Sequence, residues 1–489
     1  MTTSTDTYSS LTASPRVEDL RDRHLEYYAD LAERGDAELY GPDVAAWHRL
    51  LDSEFDNVTQ ALERAVETGQ ELAALRLANI IYWVTSWRGD STAAGPWLEK
   101  ALAVGSTASG PRAQALLDLG AVASGDLDDR QRGYQLAQEA LLVAREAGDK
   151  KFEAYALRRL GGQYAHEVGG PEAATGILEQ SLEVARQTGN EHEVAHSLYL
   201  LAWRKWREDP EGFRRDYQTT LDIYRRVGDI WSAGWIVYGM AWGEPDPIKA
   251  QDLAEEALKI ARELEDQVMI ICVLDMMGWL AHGRGEYSTA LETFETTLEE
   301  FRRPGRKWPL WWAVTWQLAS ASSIEVLKGE LEKAKARDEE SLQIASEHQS
   351  KSNIYMAKTH LGRIAAFQGD HEKGLALAEE AVAIARDLGQ RGGLGFALSV
   401  LGEVALFAKD MPRARSAHEE ALSIRRDEQG FQAVTSLMGV AAVAIADERW
   451  DDARTYLDEA LVLSRKSPWV SSVQVTQTAL AKVERLRGN

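Results

Sequence analysis

The sequence predicts an all-α protein: a right-handed α-solenoid of about ten to eleven helix pairs with a period near 40 residues. Three observations carry that expectation. One segment recurs, as QEALLVAREAGD (138–149), EEALKIARELED (255–266), EEAVAIARDLGQ (379–390) and EEALSIRRDEQG (419–430). Its marker apolar residue returns at Leu62, Leu102, Leu141, Leu182, Leu221, Leu258, Leu298, Leu342, Val382, Leu422 and Leu461, steps of about 40 residues. Strand-like alternation is essentially absent, while apolar residues at i, i+3, i+4 and i+7 mark buried helical stripes.

Taken in chain order, MTTSTDTYSSLTASP is polar, and residues 1–16 are expected to be a disordered tail. A helical segment with the first repeats is expected over 17–105, and the superhelix over 106–489. Each unit opens with a first helix such as AYALRRLGGQYA or FALSVLGEVALFA, rich in small residues set among leucines. A turn such as RGE, KGE or QGD follows, then a second helix such as STALETFETTLEEFRR. Gly-Asp or Gly-Asn after several second helices supplies a stop and a turn.

Small residues give a sharper signature. Gly278, Ala290, Phe294 and Thr297 share their spacing with Gly402, Ala414, His418 and Ala421, and with Ala441, Ala453, Leu457 and Ala460. Small positions let two helices approach, and the large residue between them fills the gap. This pattern resembles tetratricopeptide repeats over roughly residues 60–485, although those usually repeat at about 34 residues. The longer period implies longer helices or turns.

A second resemblance lies in RHLEYYADLAERGDAELYGPDVAAWHRLLDSEFDNVTQALERAVETG (23–69) and ALRLANIIYWVTSWRGDSTAAGPWLEKAL (74–102). The landmarks are Arg23-His24, Tyr27-Tyr28, Trp47, Asp56-Asn57, Arg88-Gly89 and Trp97-Leu98-Glu99. They resemble the start of the C-terminal repeat (sensor) domain of bacterial signal-transduction ATPases of the MalT, AfsR and LuxR-like types. In that family the repeat domain follows a nucleotide-binding module and senses inducers or partners. No G-x-x-x-x-G-K-[ST] phosphate loop occurs in this sequence, and a winged helix is not expected before residue 17. The resemblance therefore implies sensing or docking without ATP hydrolysis or direct DNA binding.

Composition narrows the function classes. A net charge of −22 repels phosphate backbones from most of the surface, and no run of five basic residues offsets it. The single cysteine, Cys272, excludes intramolecular disulfides and multi-Cys zinc fingers, and is read as a small buried apolar residue. With neither a secretory h-region nor an apolar run of about 18 residues, a cytoplasmic protein away from membranes is expected.

One catalytic string stands out. His192-Glu193-Val194-Ala195-His196 places two histidines on one helical face with a glutamate between them, the arrangement of zinc hydrolases. The third ligand is missing, because the metzincin positions are Tyr199 and Ala202 and the nearest acids, Glu208 and Glu211, fall in a turn. Chance is the expected reading, with His192 and His196 kept as weak metal candidates. No G-x-S-x-G elbow occurs, and Gly392-Gly393-Leu394-Gly395 has neither the spacing nor the strand of a dinucleotide fingerprint. No catalytic residue and no cofactor is assigned.

The tryptophans are the richer signal. Four of the 16 lie in KWPLWWAVTWQLA at 307–319, where Pro309 reads as the first residue of a helix. In tetratricopeptide arrays first helices line the concave surface. By that resemblance the groove candidates are His196, Tyr199, Trp203 and Trp206, then Asp275, Trp279 and His282, and then Trp312 and Trp316. Asp275 is a candidate anchor for a cationic group. Trp235, Trp242 and Trp311 read as core, and Trp308 as loop. The expected function is a non-catalytic recognition scaffold or signalling sensor binding a protein or peptide in that groove. A small-molecule or peptide-pheromone sensor in a transcription-regulatory pathway is the alternative, and a zinc-dependent hydrolase the second.

Overall fold

The computed structural model describes residues 15–489 apart from 126–128, 165–168, 206–208, 303–309, 426–430, 466–469 and 487–489. The described residues form 24 α-helices and one short 3-10 helix, with no strand among them. Ten antiparallel pairs run from Glu71 to Ser464, so the protein is an all-α solenoid. The chain divides into two compact units, residues 1–236 with 259–268, and residues 237–258 with 269–489.

Gly-Asp punctuation works at both ends of the turn. Gly148 takes φ 68, a left-handed conformation only glycine adopts cheaply, and closes helix Arg130–Glu146. Asp149 then caps helix Lys150–Gln163 by accepting from the backbone N–H groups of Lys151 and Phe152. Gly228 (φ 80) and Asp229 repeat the device, with Asp229 accepting from Ser232 N at 2.8 Å.

The small positions set the spacing within pairs. In the second unit, Gly278 on helix Gln267–Gly283 faces Phe294 on helix Tyr287–Arg302, and a Cβ at Gly278 would sit inside the van der Waals radius of that fully buried ring. Gly402 meets the ring of His418 in the same way. In the first unit Gly161 abuts Leu178 and the Ala174 carbonyl. Sequence spacing thus translates directly into interhelical approach.

In the first unit, helices Pro15–Glu38, Val44–Ser53 and Phe55–Glu67 pack on helix Glu71–Trp87 through Leu25, Leu31, Leu62, Leu75 and Ile81. The Arg88 guanidinium lies buried against Asp52 at 2.6 Å. The connection after the first helix then reaches far along the chain. Tyr40 lies 4.4 Å from the His192 ring, and Pro42 covers Gly228. Val44 is buried with Trp87 and Leu264. Trp87 stacks near Trp231 at 6.1 Å, and Trp231 Nε1 donates to Asp266 at 2.7 Å. The first unit therefore closes upon itself.

Replacing Gly278 with alanine is expected to lower stability despite alanine's better helix propensity. The buried Phe294 ring has nowhere to retreat, and overpacking of this kind costs about 1–3 kcal/mol. A thermal melt of Gly278→Ala checks this, and an unchanged or raised melting temperature contradicts it.

Candidate functional site: the first-helix faces

From Gly110 onward, successive first helices touch one another within each unit. In the first unit Gly110–Ser124 meets Lys150–Gln163, which meets Glu191–Lys205. In the second, Trp311–Lys328 meets Lys351–Phe367, which meets Arg391–Phe407. Second helices make no comparable contacts among the described residues. A stack whose first helices are closer than its second helices bends toward the first, so each unit presents a concave face built from first helices.

In the first unit, His196, Tyr199 and Trp203 follow one another along helix Glu191–Lys205. His196 lies among the rings of His192, Tyr199 and Tyr224, and burial holds its pKa well below the usual imidazole value. Tyr199 packs on Tyr217, and Trp203 remains 44% exposed beside Phe213. Trp206 lies outside the described residues.

The HEVAH string is engaged in structural work. Glu193 is buried and paired with Arg158, whose Nε lies 2.9 Å away. Burial opposes charge on Glu193, but Arg158 and His192 outweigh it and hold the carboxyl far below its ordinary range. His192 Nε2 lies 2.9 Å from the fully buried Asp229. Burial works against a charged His192 too, yet Asp229 and Glu193 raise its pKa above the ordinary value. A glutamate locked to an arginine is poorly placed as a metal site's general base. Among the described residues no group of three metal-ligating side chains converges.

Around this pair lies a cluster that the sequence reading did not assign. Tyr155 and Arg158 occupy the register of His196 and Tyr199 one repeat earlier, and Arg158 stacks 4.5 Å over the Tyr155 ring. Arg159 follows, half-buried, with Tyr155 and, from helix Glu71–Trp87, Tyr82 in its electrostatic neighbourhood, and buried Asp118 of helix Gly110–Ser124 acts on both phenols. Tyr40 approaches from the connection after the first helix, its ring against His192 and its side chain 37% exposed. The groove register applied to helix Lys150–Gln163 yields Tyr155 and Arg158. Tyr40 was hidden, because its approach is a long-range contact with no local signature.

In the second unit, helix Trp311–Lys328 begins after Leu310 as its N-cap, and Pro309 and Trp308 lie outside the described residues. Trp312 and Trp316 are neighbours, with ring centroids 6.2 Å apart, and Trp316 is 47% exposed. Trp311 is half-buried and stacks flat on His348 at 4.4 Å. Trp279 leans on Phe294 and lies 5.4 Å from His282, whose pKa burial lowers. Cys272 is half-buried, more open than a core cysteine.

Asp275 requires a correction. Far from offering a carboxylate to a cation, it is 5% exposed and accepts hydrogen bonds from Gln317 Nε2 at 3.1 Å and Ser320 Oγ at 3.0 Å. Burial raises its pKa to about 7 from an ordinary 3.8, with the hydrogen bonds from Ser320 and Gln317 pulling the other way. It is a polar latch between two first helices. The sequence placed it by register alone, and register does not reveal how tightly the next helix covers a position.

These features define the class: the chain is a tetratricopeptide-repeat protein that resembles MalT-like sensor regions. Residues 304–489 match the family described as the MalT-like TPR region. Residues 108–161 and 246–293 match that of anaphase-promoting complex subunit 5. Among curated proteins, none matches the chain. Solved structures similar to it include a signal-transduction ATPase with a tetratricopeptide-repeat sensor from Pyrococcus horikoshii, at 13% identity and TM-score 0.41, covering 79% of this chain and 57% of that one. The chain thus spans little more than half of that ATPase's length. A Rap protein complexed with competence and sporulation factor matches at 11% identity and TM-score 0.45, covering 77% of this chain and 98% of that one. The apo quorum sensor NprR from B. thuringiensis matches at 16% identity and TM-score 0.43, covering 72% and 99%. No helix among the described residues is long and apolar enough to cross a membrane.

Two measurements check this description. Arg158→Ala strands a buried carboxylate and is expected to cost about 3–5 kcal/mol in urea unfolding; a loss below 1 kcal/mol contradicts the pairing. Asp275, with its folded pKa raised, contributes stability that is complete below about pH 4 and is lost as pH rises through about 7. Between pH 4.5 and pH 8, Asp275→Asn should therefore gain on the parent by up to about 3 kcal/mol. A pH-independent difference contradicts burial of the acid.

Proposed function

We propose that the protein is a non-catalytic recognition scaffold, the sensor or docking arm of a bacterial, cytoplasmic signalling system, which holds a protein or peptide partner on its first-helix faces. The observation that carries the reading is the exposure of Trp316, with Trp312 beside it, on a first helix. About half of a large aromatic surface is left in water there, where packing against the next repeat would normally remove it. Trp203 supports the same reading on the first unit's face. Rigid aromatic side chains supply contact area at low entropic cost and dominate binding hot spots. The match of residues 304–489 to a MalT-like region agrees with a sensing role.

A second reading, a sensor of a small molecule or short peptide, is favoured by one feature. The Tyr40–Val44 connection bounds the first unit's face and leaves less room for a folded partner. The zinc-hydrolase reading loses support from the Arg158–Glu193 pair.

Trp316→Ala is expected to weaken partner capture from the native host about tenfold or more, at an essentially unchanged melting temperature. A destabilised protein with undiminished capture sinks the proposal. Metal analysis of the purified chain is expected to find zinc well below stoichiometric; one zinc per chain, lost in His196→Ala, revives the hydrolase.

A further inference from the structure

Each repeat has one position where a second helix presses between two first helices. At that position His418 lies between Gly402 on helix Arg391–Phe407 and Gly439 on helix Phe431–Ala446, and a Cβ at either glycine would overlap its ring. The side chain is 3% exposed, and neither ring nitrogen has a hydrogen-bond partner among the described residues. The second unit shows two other solutions at the same position. Phe294 fills it with a buried ring that needs no partner. Asp338 fills it with a polar group that both neighbouring first helices answer: Ser322 donates at 2.5 Å, and His360 lies 3.4 Å away. Ser322 corresponds to Gly402. His360 and Gly439 each stand two residues before the small residue of the next first helix, Gly362 and Ala441. His418 therefore has the polarity of Asp338 in the partnerless surroundings of Phe294. An uncharged imidazole bears such burial at the cost of unmade hydrogen bonds, but a charged one does not.

We propose that His418 is an acid-operated pin: uncharged, it locks helix Phe431–Ala446 against the pair Arg391–Phe407 and Met411–Arg425, and on taking a proton it lets them separate. The inference goes beyond the recognition reading and does not depend on it. No carboxylate is placed to receive the new charge. Helix Phe431–Ala446 carries no titratable residue. Helix Arg391–Phe407 carries Arg391 at its far end and Glu403, which is paired with Arg363 at 2.9 Å. On its own helix, Arg413 is paired with Glu379, Arg415 with Asp447 and Glu420 with Arg386, while Glu419 is exposed. Arg425 donates to Thr435 Oγ1 and to the Gly392 carbonyl. Burial is accordingly the sole cause that moves the imidazole, down to about 4 from an ordinary 6.5. With the folded pKa lowered, the lock is complete above about pH 6.5 and is lost as pH falls toward 4.

The test is backbone amide exchange in the intact chain, read by mass spectrometry at pH 7 and pH 5 and corrected for the chemical exchange rate. The parent is compared with His418→Phe, which copies Phe294, and His418→Leu, which copies Leu457 in the last described repeat pair. Between pH 7 and pH 5 the parent is expected to lose protection about twentyfold in helices Met411–Arg425 and Phe431–Ala446, the ratio that a pKa falling from 6.5 to about 4 gives. In the variants the loss should shrink to less than threefold. Protonation of Asp275 acts in the opposite sense and on other helices, so it does not imitate this result. If His418→Phe overpacks and does not fold, His418→Leu carries the comparison. Protection in these helices unchanged between the two pH values in the parent overturns the proposal, as does an equal loss in a folded variant. Failure of both variants to fold at pH 7 overturns it too, because the imidazole nitrogens would then be required by the fold itself.

Discussion

Everything in this protein depends on how closely two helices of a pair can approach. That distance is set where a residue without a side chain meets a bulky one, as Gly278 meets Phe294 and Gly402 meets His418. Close pairs stack in register, and stacking in register brings first helices into contact with one another within each unit. Only then do side chains about 40 residues apart in sequence become neighbours, Tyr155 beside the helix of His196 and Asp275 beside Gln317. The small-residue pattern is thus the source of the fold and, at one remove, of the faces.

Both units bury charged and polar side chains among their helices. In the first, a buried ion pair, a histidine held against a buried aspartate and several phenols sit among the first helices, a costly arrangement that apolar packing would have made cheaper. The second does the same with Glu325 against Arg337 at 2.9 Å and buried Asp338 3.4 Å from His360, alongside hydrogen bonds between helices, Ser322 to Asp338 at 2.5 Å and Ser320 to Asp275 at 3.0 Å, and it exposes an indole at Trp316.

The architecture was legible in the sequence because each repeat is a local event: period, Gly-Asp punctuation and small-residue spacing all act within about 40 residues. The site was only partly legible. Of the residues that register assigned to a groove, Trp316 is left in solvent, and His196, Tyr199 and Trp203 lie along one helix. It failed for Asp275, because burial depends on the neighbouring helix that covers it. It missed Tyr40 altogether, whose partners His192 and Trp231 lie several repeats away. Tyr155 and Arg158 carry no tryptophan signal but share the register of His196 and Tyr199 one repeat later.

The central claim is that recognition takes place on the first helices. Photo-crosslinking tests it most directly, with benzoylphenylalanine placed at Tyr155 or Trp316 on first helices, or at Leu142, which is 66% exposed on a second helix. In the native host, a common adduct from position 155 or 316 that position 142 does not give is the predicted result. An adduct formed from position 142 alone would place recognition on the opposite side of the repeats and contradict the account.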